Sequence, residues 1–548
     1  MISRYFHTIR YLKPKQIYRR IWFHLIKPSV DESPTLNLRV LKNDFCFPVQ
    51  KKISILNEDT FHFLNKSKSL SEIGWNDHSN TVSKLWRYNQ HYFDDLNAIG
   101  SLQRKLWHEQ LLKRWVKENS VSNGVGWEPY PTSLRIVNWI KWCLSKNTLS
   151  YNCTQSLALQ AQWLSKRMEW HILGNHLFSN AKALVFASLF FSNEQAENWL
   201  KKGLKIINDE LKEQVLDDGG NFERSPMYHA IFLEDLLDLI NISRVYPDIV
   251  PVQNVNEWIK ISKDMLRWLD IMSHPDGEIS FFNDAAIGIA PNLSKLINYA
   301  QRLGIIYRPH KFNGVTQLLD SGYVRLTSNN AAVLLDVAPI GPDYLPGHAH
   351  ADTLSFEISL FGQRLMVNGG TSEYGISSVR QYERSTKAHN TIEINEENSS
   401  EVWSGFRVAR RAYPYDLKIE EIENLININC AHDGYKRLNG KPVHKRNWQF
   451  FDSSLIIKDH IEGSFENAYA YFHFHPSITV VKNKNSIWNL KMSNGRQVIL
   501  EIKKGEPLIE TGYYSPEFGK KLKTQCLKVT LDKKDGSCVQ ISWDNLNE

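Results

Sequence analysis

The sequence predicts a multidomain α+β protein, in which an N-terminal (α/α) toroid of helical hairpins precedes a C-terminal antiparallel β-sandwich. Three observations predict this fold class. The chain has 548 residues, more than one hydrophobic core normally serves. Apolar residues recur at helical spacing to about residue 310, and short β-branched runs separated by turn residues follow.

The helical half begins near residue 85. Leu102, Leu106, Leu111, Leu112 and Trp115 lie near helical spacing within residues 101–118. Similar patterns occupy residues 132–145, 154–168, 175–192, 195–214, 228–244 and 254–273. Pairs of helices about every 40–55 residues indicate repeated α-hairpins, which close into a toroid or stack as a solenoid. The sequence shows no strict repeat, so the toroid is the preferred of two arrangements.

The strand-forming half follows a boundary near residues 312–317. Runs such as 331–337, 364–367, 454–459 and 497–502 are short, β-branched and regularly spaced, as in a sandwich. We therefore predict three regions: a helical N-terminal extension (1–80), the toroid (81–315) and the sandwich (316–548).

Positive charge is concentrated at the start of the chain. The formal net charge is +7, and residues 1–30 hold seven Lys or Arg and no Asp or Glu, so the rest balances to zero. That balance excludes a nucleic-acid-binding protein by charge. The basic segment predicts peripheral contact with an anionic membrane surface or an acidic polymer, and the alternative is a solvated helix face.

Cysteine usage and hydropathy indicate the compartment. The six cysteines show no CxxC spacing, which argues against a disulfide framework. No signal-peptide core or run of 18 uncharged apolar residues occurs, so we expect a cytoplasmic protein, at the inner membrane surface if the basic segment binds lipid. No motif indicates an organic cofactor, and no pattern predicts an oligomeric state.

The most informative motif is Pro346-Gly347-His348-Ala349-His350-Ala351-Asp352. It reads as the start of a strand, where the i, i+2 spacing would place both imidazoles on one face. A third histidine follows in Lys387-Ala388-His389-Asn390-Thr391, and polar chemistry also marks Gly174-Asn175-His176 and Glu223 to His229.

In this order, and behind a helical domain, these motifs resemble those of the heparinase II/III-like polysaccharide lyases. The resemblance covers most of residues 85–410. It implies an (α/α) toroid and a sandwich with the active site between them. The implied reaction is β-elimination at a uronic acid of an acidic polysaccharide.

β-Elimination requires a neutraliser for the uronate carboxylate, a base and an acid. Asn175 can neutralise the carboxylate through its amide, with His176 or Arg224 assisting. Tyr228 is the candidate acid, and acts as base only if a cation such as Arg224, on the same helix, favours the phenolate. His348 is the candidate base. The alternatives are a helix cap for Asn175 and a core position for Tyr228.

Further side chains are candidates for substrate contact, because arginine binds carboxylate or sulfate bidentately and aromatic rings stack on sugars. The loop 371–389 is predicted to line the cleft. The candidates are Glu223, Arg224, Trp127, Tyr130, Arg380, Arg384, Trp403 and Arg407.

The resemblance also implies a zinc site at the positions of His350, Asn368 and His389. Two imidazoles are good zinc ligands, but Asn368 stands where relatives carry a carboxylate. A neutral amide compensates the dication less well, so metal binding stays open, with Asp352 as a substitute ligand.

Two alternatives to a lyase remain. A glycoside hydrolase would need two facing carboxylates, for which Glu128, Asp217, Glu223 and Asp284 are candidates. A non-catalytic glycan-binding or assembly protein of polysaccharide biosynthesis fits the amide at 368 and the absent signal peptide. A cytoplasmic lyase would trim or edit a bacterial capsule or surface polysaccharide.

Overall fold

The structure is a computed structural model that describes residues 2–31, 34, 37–76, 81–484 and 486–543. The ends of two predicted regions, residues 77–80 and 544–548, lie outside the described residues. The helices are α1 (Ile2–Ile9), α2 (Pro14–Leu25), α3 (Leu70–Ile73), α4 (Lys84–Tyr92), α5 (Lys105–Glu118), α6 (Pro129–Leu144), α7 (Tyr151–Lys166), α8 (Gly174–Phe190), α9 (Glu194–Gln214), α10 (Pro226–Val245), α11 (Val252–Met272), α12 (Leu293–Arg302) and α13 (Ser378–Glu383).

The helical half is a double layer of helices. Helices α6, α8 and α10 are buried on nearly all sides and pack against one another, whereas α9 and α11 each keep a polar outer face. A helix that is apolar all round needs neighbours on every side, so the former make the inner layer and the latter the outer one. The predicted toroid of helical hairpins is confirmed.

The strand-forming half contains antiparallel sheets, as predicted. The strands are β1 (Thr60–Phe63), β2 (Lys66–Ser69), β3 (Gly314–Leu318), β4 (Tyr323–Thr327), β5 (Ala331–Asp336), β6 (Phe356–Leu360), β7 (Gln363–Met366), β8 (Ile392–Ile394), β9 (Val402–Trp403), β10 (Arg407–Val408), β11 (Pro414–Ile422), β12 (Leu425–His432), β13 (Val443–Phe451), β14 (Ser454–Glu462), β15 (Ala468–His473), β16 (Thr479–Lys484), β17 (Ile487–Lys491), β18 (Gln497–Lys504), β19 (Glu506–Glu517), β20 (Lys520–Thr530) and β21 (Ser537–Trp543).

Three sheets form the sandwich. Their strand orders are β3-β4-β5-β6-β7, β11-β12-β13-β14-β21-β18-β17-β16 and β19-β20-β15-β8. Alternating residues of the long strands are buried, and one apolar core unites Phe356, Trp448 and Phe472 from the three sheets.

The N-terminal extension is only partly helical. Helices α1 and α2 lie within residues 2–25, and the β1–β2 hairpin and the single turn α3 follow later. Strand β1 carries His62 between two buried phenylalanines, an alternation that favours a strand. In the described part of the chain, no helix is both long and apolar enough to cross a membrane.

Buried polar contacts fix the toroid to the sandwich. His274, just after α11, lies with its Nε2 2.8 Å from Glu357 Oε2 on β6, and both side chains are fully buried. Glu357 also accepts the backbone N–H groups of Phe281 (3.0 Å) and Asn368 (2.7 Å). Burial favours the neutral acid, but His274 and Arg364 outweigh it and lower the pKa of Glu357. One carboxylate therefore positions the segment after α11.

We expect Glu357→Ala to lower the free energy of unfolding by about 3–5 kcal/mol, because it leaves buried donors without an acceptor. Urea denaturation measures this. Glu257→Ala, on the exposed face of α11, is the control and should change it by less than about 0.5 kcal/mol. An equal, small loss in both variants would contradict the role of Glu357.

Candidate active site

A cavity of about 1230 Å³ lies between the toroid and the sandwich. Seven of the predicted site residues line it together: Tyr130, Asn175, His176, Glu223, Tyr228, His348 and Arg407. Toroid and sandwich thus each supply part of one site, and a cavity of this size accommodates several sugar units.

Tyr228 and His348 are the central pair. Tyr228 lies in the first turn of α10, which Ser225 caps by accepting the Tyr228 N–H at 3.2 Å. Its ring stacks on the imidazole of His348 with centroids 3.9 Å apart. Its hydroxyl lies 2.9 Å from that of Tyr374, in the loop predicted to line the cleft. The Tyr228 hydroxyl and the His348 imidazole therefore lie side by side in the cavity wall.

Asp284 holds His348 in place. Its Oδ2 lies 2.8 Å from His348 Nδ1 and its Oδ1 2.8 Å from His350 Nε2. Arg380 forms a bidentate pair with the same carboxylate, and all of these groups except His348 are fully buried. Burial acts to raise the pKa of Asp284, but Arg380 and the two histidines outweigh it and hold that pKa well below its usual range.

The histidine motif does not lie on a strand, so that prediction is corrected. His348 and His350 belong to the loop before β6, which starts only at Phe356. Both imidazoles nonetheless reach one partner, because both contact Asp284. Since the Asp284 carboxylate accepts from Nδ1 of His348, we assign the proton to Nδ1 and the lone pair to Nε2.

Glu223 is a buried carboxyl beside that lone pair. Its Oε2 lies 3.7 Å from His348 Nε2 and has no hydrogen-bond partner, while the Asn175 N–H bonds the same carboxyl group. Burial raises the pKa of Glu223, although His348 and His176 act in the opposite direction. The adjoining Arg224 has φ 56°, a left-handed conformation held by bonds from Asn283 and Tyr323 to its carbonyl.

Asn175 and His176 lie next to each other in the cavity wall. Both lie in the first turn of α8, where the helix dipole is positive. His176 Nδ1 lies 3.1 Å from Glu169 Oε1, and Tyr130 stacks on the imidazole at 4.4 Å. Burial lowers the pKa of His176, but Glu169 outweighs it, so the pKa is raised and the imidazolium is favoured.

Five predicted substrate contacts are corrected. The Arg224 guanidinium donates to the carbonyls of Ser321 and Asp320 and lies outside the helix of Tyr228, which starts at Pro226. It therefore offers Tyr228 no cation. Burial also raises the pKa of Tyr228 well above its usual value, so its hydroxyl stays protonated.

The other four corrections concern side chains that are engaged within the protein. Trp127 is a core residue whose indole donates to the Asn119 carbonyl, and Arg384 is fully buried on the Ala349 carbonyl. Trp403 lies outside the cavity and donates to Thr8 of α1. Arg380, also predicted to contact substrate, instead pairs with Asp284.

The predicted zinc ligands are all buried and already bonded. His350 Nδ1 lies 3.0 Å from His389 Nε2, and the Asn368 amide oxygen accepts the Asn390 N–H at 3.1 Å. Asp352 accepts from the backbone of Asn283. Within the described residues no group of three His, Cys, Asp or Glu could hold a metal. These side chains are thus engaged with one another and with the backbone, and zinc binding here stays a prediction.

Sequence reasoning did not single out Glu169 or Tyr374, and named Asp284 only as a hydrolase candidate. Tyr374 lies in the predicted cleft loop, so its position was signalled, whereas Glu169 has no local signal. Asp284 follows the apolar pair Phe281-Phe282, a pattern shared with ordinary loops. Only the fold brings it to His348.

Both halves of the chain match models of known protein families. Profiles described as "Heparinase II/III N-terminus" and "Heparinase II/III-like, C-terminal" match residues 62–304 and 313–544. The chain belongs to the heparinase II/III family. Family membership confirms the resemblance found in the sequence motifs.

Curated relatives of this heparinase II/III family protein include two heparin-sulfate lyases. That of Bacteroides stercoris is 25% identical over 311 residues, covering 53% of this chain and 44% of that protein. That of Pedobacter heparinus is 24% identical over 254 residues, covering 41% and 36%. The match thus spans less than half the length of these relatives.

Solved structures share the fold. A crystal structure of heparinase III has a TM-score of 0.70 at 18% identity, covering 85% of this chain and 78% of that one. A mutant of heparan sulfate lyase HepC from Pedobacter heparinus has a TM-score of 0.62 at 17% identity, covering 97% and 88%. The fold class is confirmed.

The zinc prediction can be tested on the protein itself. We expect substoichiometric zinc after dialysis, and a higher affinity in Asn368→Asp, because a carboxylate compensates the dication. Elemental analysis and competition with a chromophoric chelator measure both. A full equivalent retained by the unaltered protein and lost in His389→Ala would contradict this expectation.

Proposed function

We propose that this protein is a polysaccharide lyase that cleaves an acidic, uronate-containing polysaccharide by β-elimination. The observation that carries the proposal is the stacked pair of Tyr228 and His348 in the cavity wall, with His348 fixed by Asp284. The names of the curated relatives support the same class of reaction and of substrate.

The reaction needs a proton to leave C5 of the uronate while the bond from C4 to the leaving oxygen breaks. His348 Nε2 accepts the C5 proton, because its Nδ1–H is engaged by Asp284. The electron pair left at C5 forms the C4–C5 double bond. The Tyr228 hydroxyl, kept protonated by burial, delivers its proton to the departing C4 oxygen.

Anion recognition follows from the first turn of α8. The Asn175 amide and the His176 imidazolium can bond the uronate carboxylate, and the positive N-terminal end of the α8 dipole attracts the same carboxylate. Neutralising that carboxylate makes the C5 proton more acidic. Arg407 is exposed on the cavity wall and suits a further acidic group of the polymer.

A glycoside hydrolase is less well supported. Its two carboxyl groups would have to reach the sugar, yet both Asp284 oxygens are bonded and fully buried. Glu128 is bonded to Tyr88 and Lys84, and Asp217 does not line the cavity. A cytoplasmic location and a role in capsule or surface polysaccharide metabolism stay predictions.

The test is the ultraviolet absorbance of the C4–C5 double bond during incubation with heparan sulfate and other uronate polysaccharides. We expect His348→Ala and Tyr228→Phe each to lower kcat by about 10²–10⁴-fold, because each removes one proton-transfer group. Asp284→Asn should act through the orientation of His348 and lower kcat with little change in substrate binding.

Tyr307→Phe is the control, since it removes a buried hydroxyl bonded to Asp270 outside the cavity. It should keep the activity of the unaltered protein. Cleavage products that lack the double bond would instead indicate hydrolysis. Glycan binding without turnover on every polymer would indicate a binding protein.

The raised pKa of His176 predicts a pH dependence of KM. The imidazolium is present below the raised pKa and is lost as pH rises through it, so KM should increase about tenfold or more on the alkaline side. His176→Gln should have a high KM at every pH and lack that increase. Steady-state kinetics between about pH 5 and pH 9 measure this.

Tyr130→Phe is the matched control, because it keeps the ring that stacks on His176. It should retain the pH dependence. An unchanged profile in His176→Gln would mean that another group binds the carboxylate.

A further inference from the structure

Helices α1 and α2 form a strap across the mouth of the catalytic cavity. On the toroid side, Lys15 lies 3.8 Å from the ring of Trp170, and Phe23 packs on His171 at 4.2 Å. On the sandwich side, Tyr5 contacts Trp403 at 4.9 Å. The strap therefore touches both halves of the protein, and its inner face lines the cavity.

The outer face of the strap is apolar and uncovered. Tyr18, Trp22 and Leu25 of α2 lie four and three residues apart, which places them on one side of the helix. Their side chains are 54%, 56% and 77% exposed, respectively. Phe6 of α1 is 64% exposed. Nothing in the described part of the chain covers this stripe.

The strap is also strongly basic. Residues 1–30 contain seven cations and no acidic residue. Lys13 is paired with Glu213 on the toroid and Arg20 lines the cavity, whereas Arg4, Arg10 and Lys27 are exposed elsewhere on the strap. An apolar stripe flanked by Arg and Lys is the pattern of a helix that lies in a membrane interface.

We propose that the strap binds the surface of an anionic lipid bilayer, with Tyr18, Trp22 and Leu25 entering the interface and the cations contacting lipid headgroups. An acidic polysaccharide would pair with the cations but leave the apolar stripe in water. A second copy of the chain would cover the stripe but bring two sets of like charges together. A bilayer satisfies both features.

The position of the strap gives this contact a functional consequence. Ile9, Leu12 and Ile17 line the cavity from the same two helices that carry the outer stripe. A strap resting on lipid therefore brings the mouth of the cavity to headgroup level. The site would meet glycans held at a membrane surface before those free in solution.

Co-sedimentation with vesicles tests the proposal, comparing neutral phosphatidylcholine with phosphatidylcholine containing phosphatidylglycerol. We expect binding to the anionic vesicles, weakened by salt. The double variant Trp22→Ser with Leu25→Ser should weaken it at least about tenfold. The double variant Arg4→Gln with Lys27→Gln should also weaken binding to the anionic vesicles about tenfold, because it removes two of the positive charges that attract the headgroups.

The matched control is Leu102→Ser with Leu106→Ser, which alters an equally exposed apolar pair, 74% and 73%, on another face. Its vesicle binding should equal that of the unaltered chain. Cleavage of a soluble oligosaccharide should be unchanged in the Trp22 and Leu25 double variant, so this test is separate from that of the lyase reaction.

Two outcomes would overturn the proposal. One is equal vesicle binding by the unaltered chain and the Trp22 and Leu25 double variant, or no binding by either. The other is a lipid-free dimer, seen by analytical ultracentrifugation, that the double variant converts to a monomer without any effect on vesicles. The stripe would then be an interface between two copies.

Discussion

The site depends on one buried carboxylate. Asp284 is fully buried and would be costly in ionised form, yet one guanidinium, two imidazoles and the Thr371 hydroxyl surround it. Asp284 lies between the toroid helices α11 and α12, whereas its partners come from loops of the sandwich and from helix α13. This contact therefore both joins the two halves and orients His348.

The sandwich contains a second network of the same composition. Asp459 bonds His444 at 2.7 Å and pairs with Arg446, and His444 in turn lies 3.2 Å from His432. These groups sit on neighbouring strands inside the sheet, with no route to the cavity. The residue types therefore do not distinguish the Asp284 network from the Asp459 network. The difference is that His348 lines the cavity.

Helical periodicity predicted α5 to α11 within a few residues, because these helices bury one face or all faces. The strands could be predicted equally well, because short β-branched runs alternate with turn residues in the sequence. The histidine motif does bring His348 to the cavity wall, but a loop supplies the geometry that was assigned to a strand. The prediction for Arg224 was wrong because α10 starts two residues later. A side chain outside the helix does not keep the helical spacing that would place it beside Tyr228.

Contacts between segments that only the fold brings together could not be predicted from the sequence. Trp127 and Arg384 have residue types that suit sugar binding, but packing between distant segments buries both. Asp284 and Glu169 have no local signal, because their partners are 64 and 7 residues away and are brought together only by the fold. Sequence patterns report on near neighbours, whereas this site is made from distant ones.

Burial sets the protonation states that β-elimination needs. It keeps Tyr228 neutral, as an acid must be, by raising its pKa. It also raises the pKa of Glu223, whose unpaired oxygen lies 3.7 Å from His348 Nε2. Because the raised pKa disfavours the Glu223 carboxylate, burial reduces the negative charge beside the atom proposed to accept the C5 proton. One low-dielectric wall therefore supports an acid and a base side by side.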